Sequence, residues 1–317
     1  MITQTCAICE KNNFIVLYPE NFNIKKINSR VFSARRLPDR IHYRMVKCKN
    51  CHLIYSNPIL EYEKIENLYK KSFTSYDEHL ENLKVTYGFY LKQLKEKYQK
   101  QMIENQSSTL QPQNLSSIIH SPSSRLLEIG CGNGFFLEEA KKQGYEVYGV
   151  EPGQPSVDKA TPEIKKNIIV DIFKSGQFKN NFFDVICCFQ TFDHIPNPNE
   201  LLTQCYKILK KAGLMLFLNH NIGAWQNKLM GKKSPIIDIE HTYLFDQTTM
   251  RKIFEKHHFK VLEVRSSFNI HHTSYWLHLL PIPNFIKIPL IKVLDLTGLG
   301  KIKIKIYPGN LVLFAKR

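Results

Sequence analysis

No export segment is visible in the sequence. Met1-Ile2-Thr3 leads into no basic stretch followed by an apolar one, so a signal peptide is not expected and the protein reads as cytoplasmic. Its eight cysteines are then expected to remain thiols, which argues against disulfides. A membrane span is missing too, because the apolar residues between Trp276 and Leu296 are interrupted by prolines 281, 283 and 289 and by Lys287 and Lys292. No internal repeat is visible. Acidic residues are scarce, 28 Asp and Glu against 44 Lys and Arg, giving a formal charge of +16. The imbalance is uneven: +7 over residues 1–124, zero over 125–219 and +9 over 220–317. Basic flanks around a neutral centre suit an acidic partner such as nucleic acid, a nucleotide-linked substrate or an anionic membrane surface. Solvated faces of a Lys- and Asn-rich chain account for the charge equally well. With 317 residues and 43% hydrophobic content, the chain has enough apolar material for two lobes.

The cysteines that are present fall into two groups. Cys6 and Cys9 form one Cys-x-x-Cys pair, Cys48 and Cys51 another, with 38 residues between the pairs. Such spacing suits tetrahedral zinc in a ribbon, each pair on a turn between strands. Ile41, Tyr43 and Met45 alternate with His42 and Arg44 on the way into Cys48, and Leu53-Ile54-Tyr55 leaves Cys51 as another strand. Four protein ligands close the coordination shell, so the expected zinc is structural. Cys131, Cys187, Cys188 and Cys205 sit inside strand, turn or helix patterns and read as small buried apolar residues.

Residues 126–134, Leu-Leu-Glu-Ile-Gly-Cys-Gly-Asn-Gly, run from an apolar strand through a carboxylate into three alternating glycines. Glycine accepts positive φ and lets a ligand lie against the main chain. A dinucleotide fingerprint would place its last glycine where Phe135 stands, and Glu128 is a poor neighbour for pyrophosphate but a good one for an ammonium group. The segment resembles the first motif of class I S-adenosylmethionine-dependent methyltransferases, (Asp/Glu)-x-Gly-x-Gly-x-Gly. The resemblance extends to about residue 265. It implies an α/β fold, a Rossmann-like seven-stranded sheet, with S-adenosyl-L-methionine at the carboxyl ends of the strands.

Supporting positions follow in order. Phe135, Phe136, Leu137 and Ala140 recur at helical spacing and stop at Gly144; Glu146 to Glu151 reads as a second strand. Glu151 stands where a βαβ nucleotide site places its ribose acceptor. Asn167 to Asp171 reads as a third strand, and the resemblance puts Asp171 at the adenine amino group. Phe182 to Phe189 is an apolar run interrupted only by Asp184, as expected of a strand buried on both faces. Gln190-Thr191-Phe192-Asp193-His194-Ile195-Pro196 looks like the family segment lining the methionine side and the acceptor mouth. Further expectations are a helix over Leu201 to Leu209, a basic C-cap at Lys210-Lys211-Ala212-Gly213, and strands over Leu214 to Leu218, Lys260 to Arg265 and, after a turn at Pro308-Gly309, Asn310 to Lys316. The resulting cofactor-binding set is Glu128, Gly130, Cys131, Gly132, Asn133, Gly134, Glu151, Asp171 and Gln190.

These readings divide the chain into a zinc ribbon (1–58), a helical connector (59–105), a polar Gln-, Ser- and Pro-rich linker (106–124) and the methyltransferase domain (125–317). Ile65 through Met102 reads as one helix whose stripe of Leu80, Leu83, Tyr87, Leu91, Leu94 and Tyr98 faces that domain, with Tyr87 or Tyr90 a candidate acceptor contact. The insertion at about 268–307 is too long for a passive loop. As a basic amphipathic cap it can cover a hydrophobic acceptor or lie on a membrane.

A sulfonium is already a strong methyl donor, so the protein mainly aligns the acceptor and excludes water. A hydroxyl acceptor gains from a base, and His194 is the candidate catalytic residue. His220 and His241 are further candidates at the mouth; Asp193 stands where many relatives carry Glu; His271-His272 reads as surface rather than metal ligands. With its ribbon, the chain resembles bacterial small-molecule methyltransferases of surface polysaccharide or secondary-metabolite pathways, although His52 replaces the glycine that often follows the last cysteine. The expected reaction is O-methylation of a small molecule: a sugar, lipid-linked or secondary-metabolite acceptor, anionic ones included. The alternative is an RNA base methyltransferase, though the Asn-Pro-Pro-Tyr type site for exocyclic amines is absent. A binding module without catalysis is disfavoured because the cofactor residues are intact.

Overall fold

Short alternating strands near the N-terminus, β1 (Phe14–Tyr18), β2 (Met45–Cys48) and β3 (Ile54–Ser56), pair antiparallel around the two cysteine turns. The computed structural model describes residues 1–22, 27, 31–32, 41–72, 80–106, 124–279 and 283–317. The polar linker expected at 106–124 falls almost wholly outside these residues. Where one helix was expected from Ile65 to Met102, two elements are described, α1 (Tyr62–Lys70) and α2 (Leu80–Gln106).

The main sheet is built from β4 (Arg125–Ile129), β5 (Glu146–Val150), β6 (Ile168–Ile169), β7 (Phe183–Phe189), β8 (Leu209–His220), β10 (Lys260–His272) and β11 (Lys303–Lys316). Its spatial order is β10-β11-β8-β7-β4-β5-β6, with β4 to β8 parallel and β11 antiparallel to both neighbours. The chain therefore has the expected Rossmann-like seven-stranded sheet. Parallel neighbours need crossover helices, supplied by α3 (Phe135–Lys142) and α4 (Pro198–Ile208) among others. Pro198 at the first helical position and the Asn197 side chain, which accepts from Glu200 N at 3.3 Å, start α4.

Side-chain alternation sorts the strands into two cores. Leu126, Val185, Cys187, Leu216 and Phe314 face α2 and α3, where Tyr87, Tyr90, Leu91 and Leu94 pack. Leu127, Ile129, Ile186, Met215 and Leu313 face the other way and share one core with Cys6, Cys48, Cys51 and Tyr55 of the cysteine module. Beyond β8 come α5 (Trp225–Met230), β9 (Tyr243–Leu244) and α6 (Gln247–Lys256). β9 pairs with β3, so the small sheet reads β1-β2-β3-β9 and the cysteine module is closed by a strand from the large domain.

Two expected turns are strand. Residues 210–213 cap no helix: α4 ends at Ile208, and β8 bulges there, with four residues of β8 between paired positions against one of β7 and Ala212 at φ 62°. Pro308-Gly309 likewise lies in a bulge inside β11, three residues between paired positions against one of β10, with Gly309 at φ 93°. Proline is tolerated there because β11 pairs with β8 only from Asn310 onward. The β10–β11 hairpin thus projects past the sheet and carries α7 (Thr273–Leu279) and α8 (Asn284–Leu296) at its far end.

Candidate active site

At the carboxyl ends of β4, β5 and β7 lies a cavity of about 270 Å³. Its floor is the main chain of Gly130, Cys131, Gly132 and Asn133, and its walls include Glu128, Glu151, Asp171, Gln190 and His194. Ligand sites in open α/β sheets sit at this end of the strands. Gly130 has φ 75°, and a Cβ there would come within 2.3 Å of the Thr191 hydroxyl. A Cβ on Gly132 would meet no protein atom within 4 Å, because the space above it is the cavity. The Cys131 thiol turns away toward Gly149, so only its backbone faces the cavity. Gly134 stands outside the lining; a Cβ there would meet Ile164 at 2.6 Å.

The two glutamates differ. Glu151 Oε2 accepts from Gly132 N and its Oε1 from Gly153 N, both at 2.9 Å, which fixes the carboxylate at the cavity edge. Glu128 is 2% exposed, and its Oε2 has no hydrogen-bond partner among the described residues. Burial, then the nearby Glu151 charge, push the Glu128 pKa well above the ordinary carboxylate value. An unpaired buried carboxylate oxygen is costly unless a cation completes it. Gln190, in the left-handed region at φ 50°, also lines the cavity with a buried, unpartnered Oε1. At the far wall Asp171 accepts from Ile172 N at 2.9 Å and pairs with Lys70 and Lys174. Partial burial raises its pKa, but those partners hold it below the usual value.

Opposite the glycines, imidazoles surround one carboxylate. Asp193 is buried, and its Oδ2 is 2.7 Å from His220 Nδ1 and its Oδ1 3.8 Å from His194 Nε2. Burial opposes its charge, yet His220, His194 and His241 keep its pKa far down. The His241 ring lies 4.7 Å from that of His194 and 4.8 Å from that of His220. Burial lowers the pKa of His194 and, more strongly, of His241. The Tyr69 hydroxyl is 3.1 Å from His194 Nδ1, and burial holds the phenol protonated. Sequence patterns gave no sign of Tyr69, which sits on α1, 125 residues from its partner.

Tyr87 stacks on Phe189, ring centroids 4.2 Å apart, and lines the cavity. Tyr90 is fully buried; its hydroxyl accepts from Phe268 N and donates to Phe268 O, so it has no place in the cavity wall. His271 is likewise buried and stacks on Tyr275.

The four N-terminal sulfurs all lie within 4.8 Å of one another, Cys6–Cys51 at 3.2 Å and Cys9–Cys48 at 3.5 Å. Tetrahedral Zn–S bonds of about 2.3 Å set sulfurs about 3.8 Å apart, so the quartet fits zinc. The residue after each pair, Glu10 at φ 60° and His52 at φ 69°, is left-handed. His52 thus takes the conformation that glycine adopts freely, at a modest local cost.

A family model described as a methyltransferase domain matches residues 94–264, more than half of the chain. The chain belongs to this methyltransferase family. Curated relatives of the methyltransferase include the ubiquinone biosynthesis O-methyltransferases of Shewanella halifaxensis, 27% identical over 34% of this chain and 49% of that protein, and of Pectobacterium atrosepticum, 25% identical over 34% and 48%. The chain spans about half the length of these relatives. A S-adenosylmethionine-dependent methyltransferase structure from Archaeoglobus fulgidus superposes with a TM-score of 0.42 at 20% identity, covering 68% of this chain and 98% of that one.

Proposed function

We propose that the protein transfers a methyl group from S-adenosyl-L-methionine to a hydroxyl of a small acceptor. One observation carries the reading: a bare main-chain floor and a buried carboxylate oxygen with no partner among the described residues share one cavity. The cofactor, when bound, supplies an electrophilic methyl group. Glu128 would pair with its ammonium, Gln190 would hold the amino-acid side, the main chain of Gly130, Cys131, Gly132 and Asn133 would carry its body, Glu151 would accept from the ribose hydroxyls, and Asp171 would face the adenine.

His194 acts as the base. Its depressed pKa keeps the imidazole neutral near pH 7, and the Tyr69 hydroxyl sits on Nδ1 at the cavity wall. The acceptor hydroxyl passes its proton through the Tyr69 hydroxyl to Nδ1, while Asp193, near Nε2, stabilises the imidazolium. The names of the curated relatives support oxygen as the acceptor atom. Nothing in the site favours RNA base methylation.

A structural zinc on Cys6, Cys9, Cys48 and Cys51 completes the proposal. Through β3–β9 pairing and the bond from Tyr243 hydroxyl to Gln4 Oε1 at 3.1 Å, the cysteine module braces the segment that carries Glu240 and His241. Methyl-labelled S-adenosylmethionine, incubated with nucleotide sugars, polyprenyl-linked sugars and catechols, should label an oxygen of one class. Labelling of RNA alone would overturn the reading.

A further inference from the structure

Among the described residues, the tip of the β10–β11 hairpin exposes more large apolar side chains than any other element. On α8, Phe285 is 78% and Leu296 87% exposed, and Ile286, Leu290 and Val293 are also open to solvent. At 100° per residue, Phe285, Pro289, Val293 and Leu296 fall on one face, with Ile286 and Leu290 beside them, forming a continuous apolar arc. Ile291 points to the opposite side and is buried. Lys292 and Lys287 stand at the two edges of the arc, and Lys301 and Lys303 follow on the adjoining turn and strand, where Leu299 and Ile302 are half exposed. After Glu263 the sequence has a single acidic residue, Asp295. Exposed apolar surface rimmed by one sign of charge marks an interaction site. An exposed apolar arc edged by lysines suits the boundary between acyl chains and headgroups, and no helix among the described residues is long and apolar enough to cross a membrane.

We propose that α8 and the adjoining turn dock on an anionic lipid bilayer, with Phe285, Val293 and Leu296 inserted among the acyl chains and the lysines on the headgroups. A free phosphate or an acidic protein would use the lysines but leave the apolar arc in water, and a second copy of the chain would set these lysines against each other. The proposal does not rest on the methyl-transfer reading, since its test needs neither cofactor nor acceptor.

Flotation of the full chain with vesicles of phosphatidylcholine alone, and of equal parts phosphatidylcholine and phosphatidylglycerol, tests it. Binding is expected to the anionic vesicles, to weaken at high salt, and to fall about fivefold per lysine changed in Lys292→Gln and Lys301→Gln. Phe285→Ser with Leu296→Ser should abolish binding while the melting temperature holds. Failure to float with anionic vesicles would overturn the proposal. So would binding indifferent to both sets of changes, or a lipid-free dimer that Phe285→Ser with Leu296→Ser dissolves.

Discussion

Replacing Glu128 by glutamine probes the site where its electrostatics are least compensated. Below its raised pKa the empty site holds a proton on Glu128, whereas a bound ammonium favours the carboxylate, so cofactor binding should expel that proton. Affinity for S-adenosylmethionine should therefore climb with pH by up to tenfold per unit, about 1.4 kcal/mol, and level off above the raised pKa. Calorimetric heats should vary with the ionisation enthalpy of the buffer. Glu128→Gln keeps the shape and removes the charge; losing a charge-assisted hydrogen bond of about 1.5–3 kcal/mol weakens binding roughly 10- to 150-fold on the plateau and abolishes the slope. The empty protein should respond in the opposite sense. Between the ordinary carboxylate pKa and the raised one, the native state binds more protons than the unfolded chain, so stability falls as pH rises through that window and the glutamine variant is spared the fall. Equal affinity and equal slope in both proteins would refute the assignment.

Other expectations concern the acceptor side and the metal. His194→Ala should cut turnover about 10²- to 10⁴-fold with cofactor affinity preserved, and wild-type turnover should rise with pH to a plateau through a midpoint below the ordinary histidine value of about 6.5. Tyr69→Phe should lower turnover through the same proton path, measured beside His194→Ala in a double-mutant cycle; strict additivity would separate the two residues. The low pKa of Asp193 stabilises the fold at pH values above the ordinary carboxylate pKa, and that contribution is lost as pH falls through the lower folded value; Asp193→Asn should cost about 1–3 kcal/mol in urea unfolding at neutral pH. Metal analysis should find about one zinc per chain, and chelation should speed hydrogen exchange at Tyr243–Leu244; a metal-free chain with unchanged exchange would contradict the staple.

The large sheet was legible wherever burial on both faces left a mainly apolar run, as in β4 and β7, and wherever glycine had to take positive φ, as at Gly130. Composition misled where a local pattern has two meanings. Lys210-Lys211-Ala212-Gly213 reads as a helix end, but Ala212 takes the left-handed conformation and the strand bulges instead. Pro308-Gly309 reads as a turn, but one side of β11 is unpaired there, so proline costs no ladder bond. Two-residue β9 has no periodicity to detect, and its pairing with β3 joins residues 188 positions apart at Tyr55 and Tyr243 or 190 at Ile54 and Leu244. Tyr69 escaped for the same reason: its partner is brought to it only by the packing of α1 against the segment after β7. Local sequence records propensity and burial, whereas contacts across more than a hundred residues are set by tertiary packing.

The most direct test is a crystal structure of the chain with S-adenosylhomocysteine. The account predicts the ammonium within about 3 Å of Glu128 and the ribose hydroxyls at a similar distance from Glu151, over the main chain of Gly130 to Gly132. A ligand bound elsewhere, with that floor empty, would contradict it.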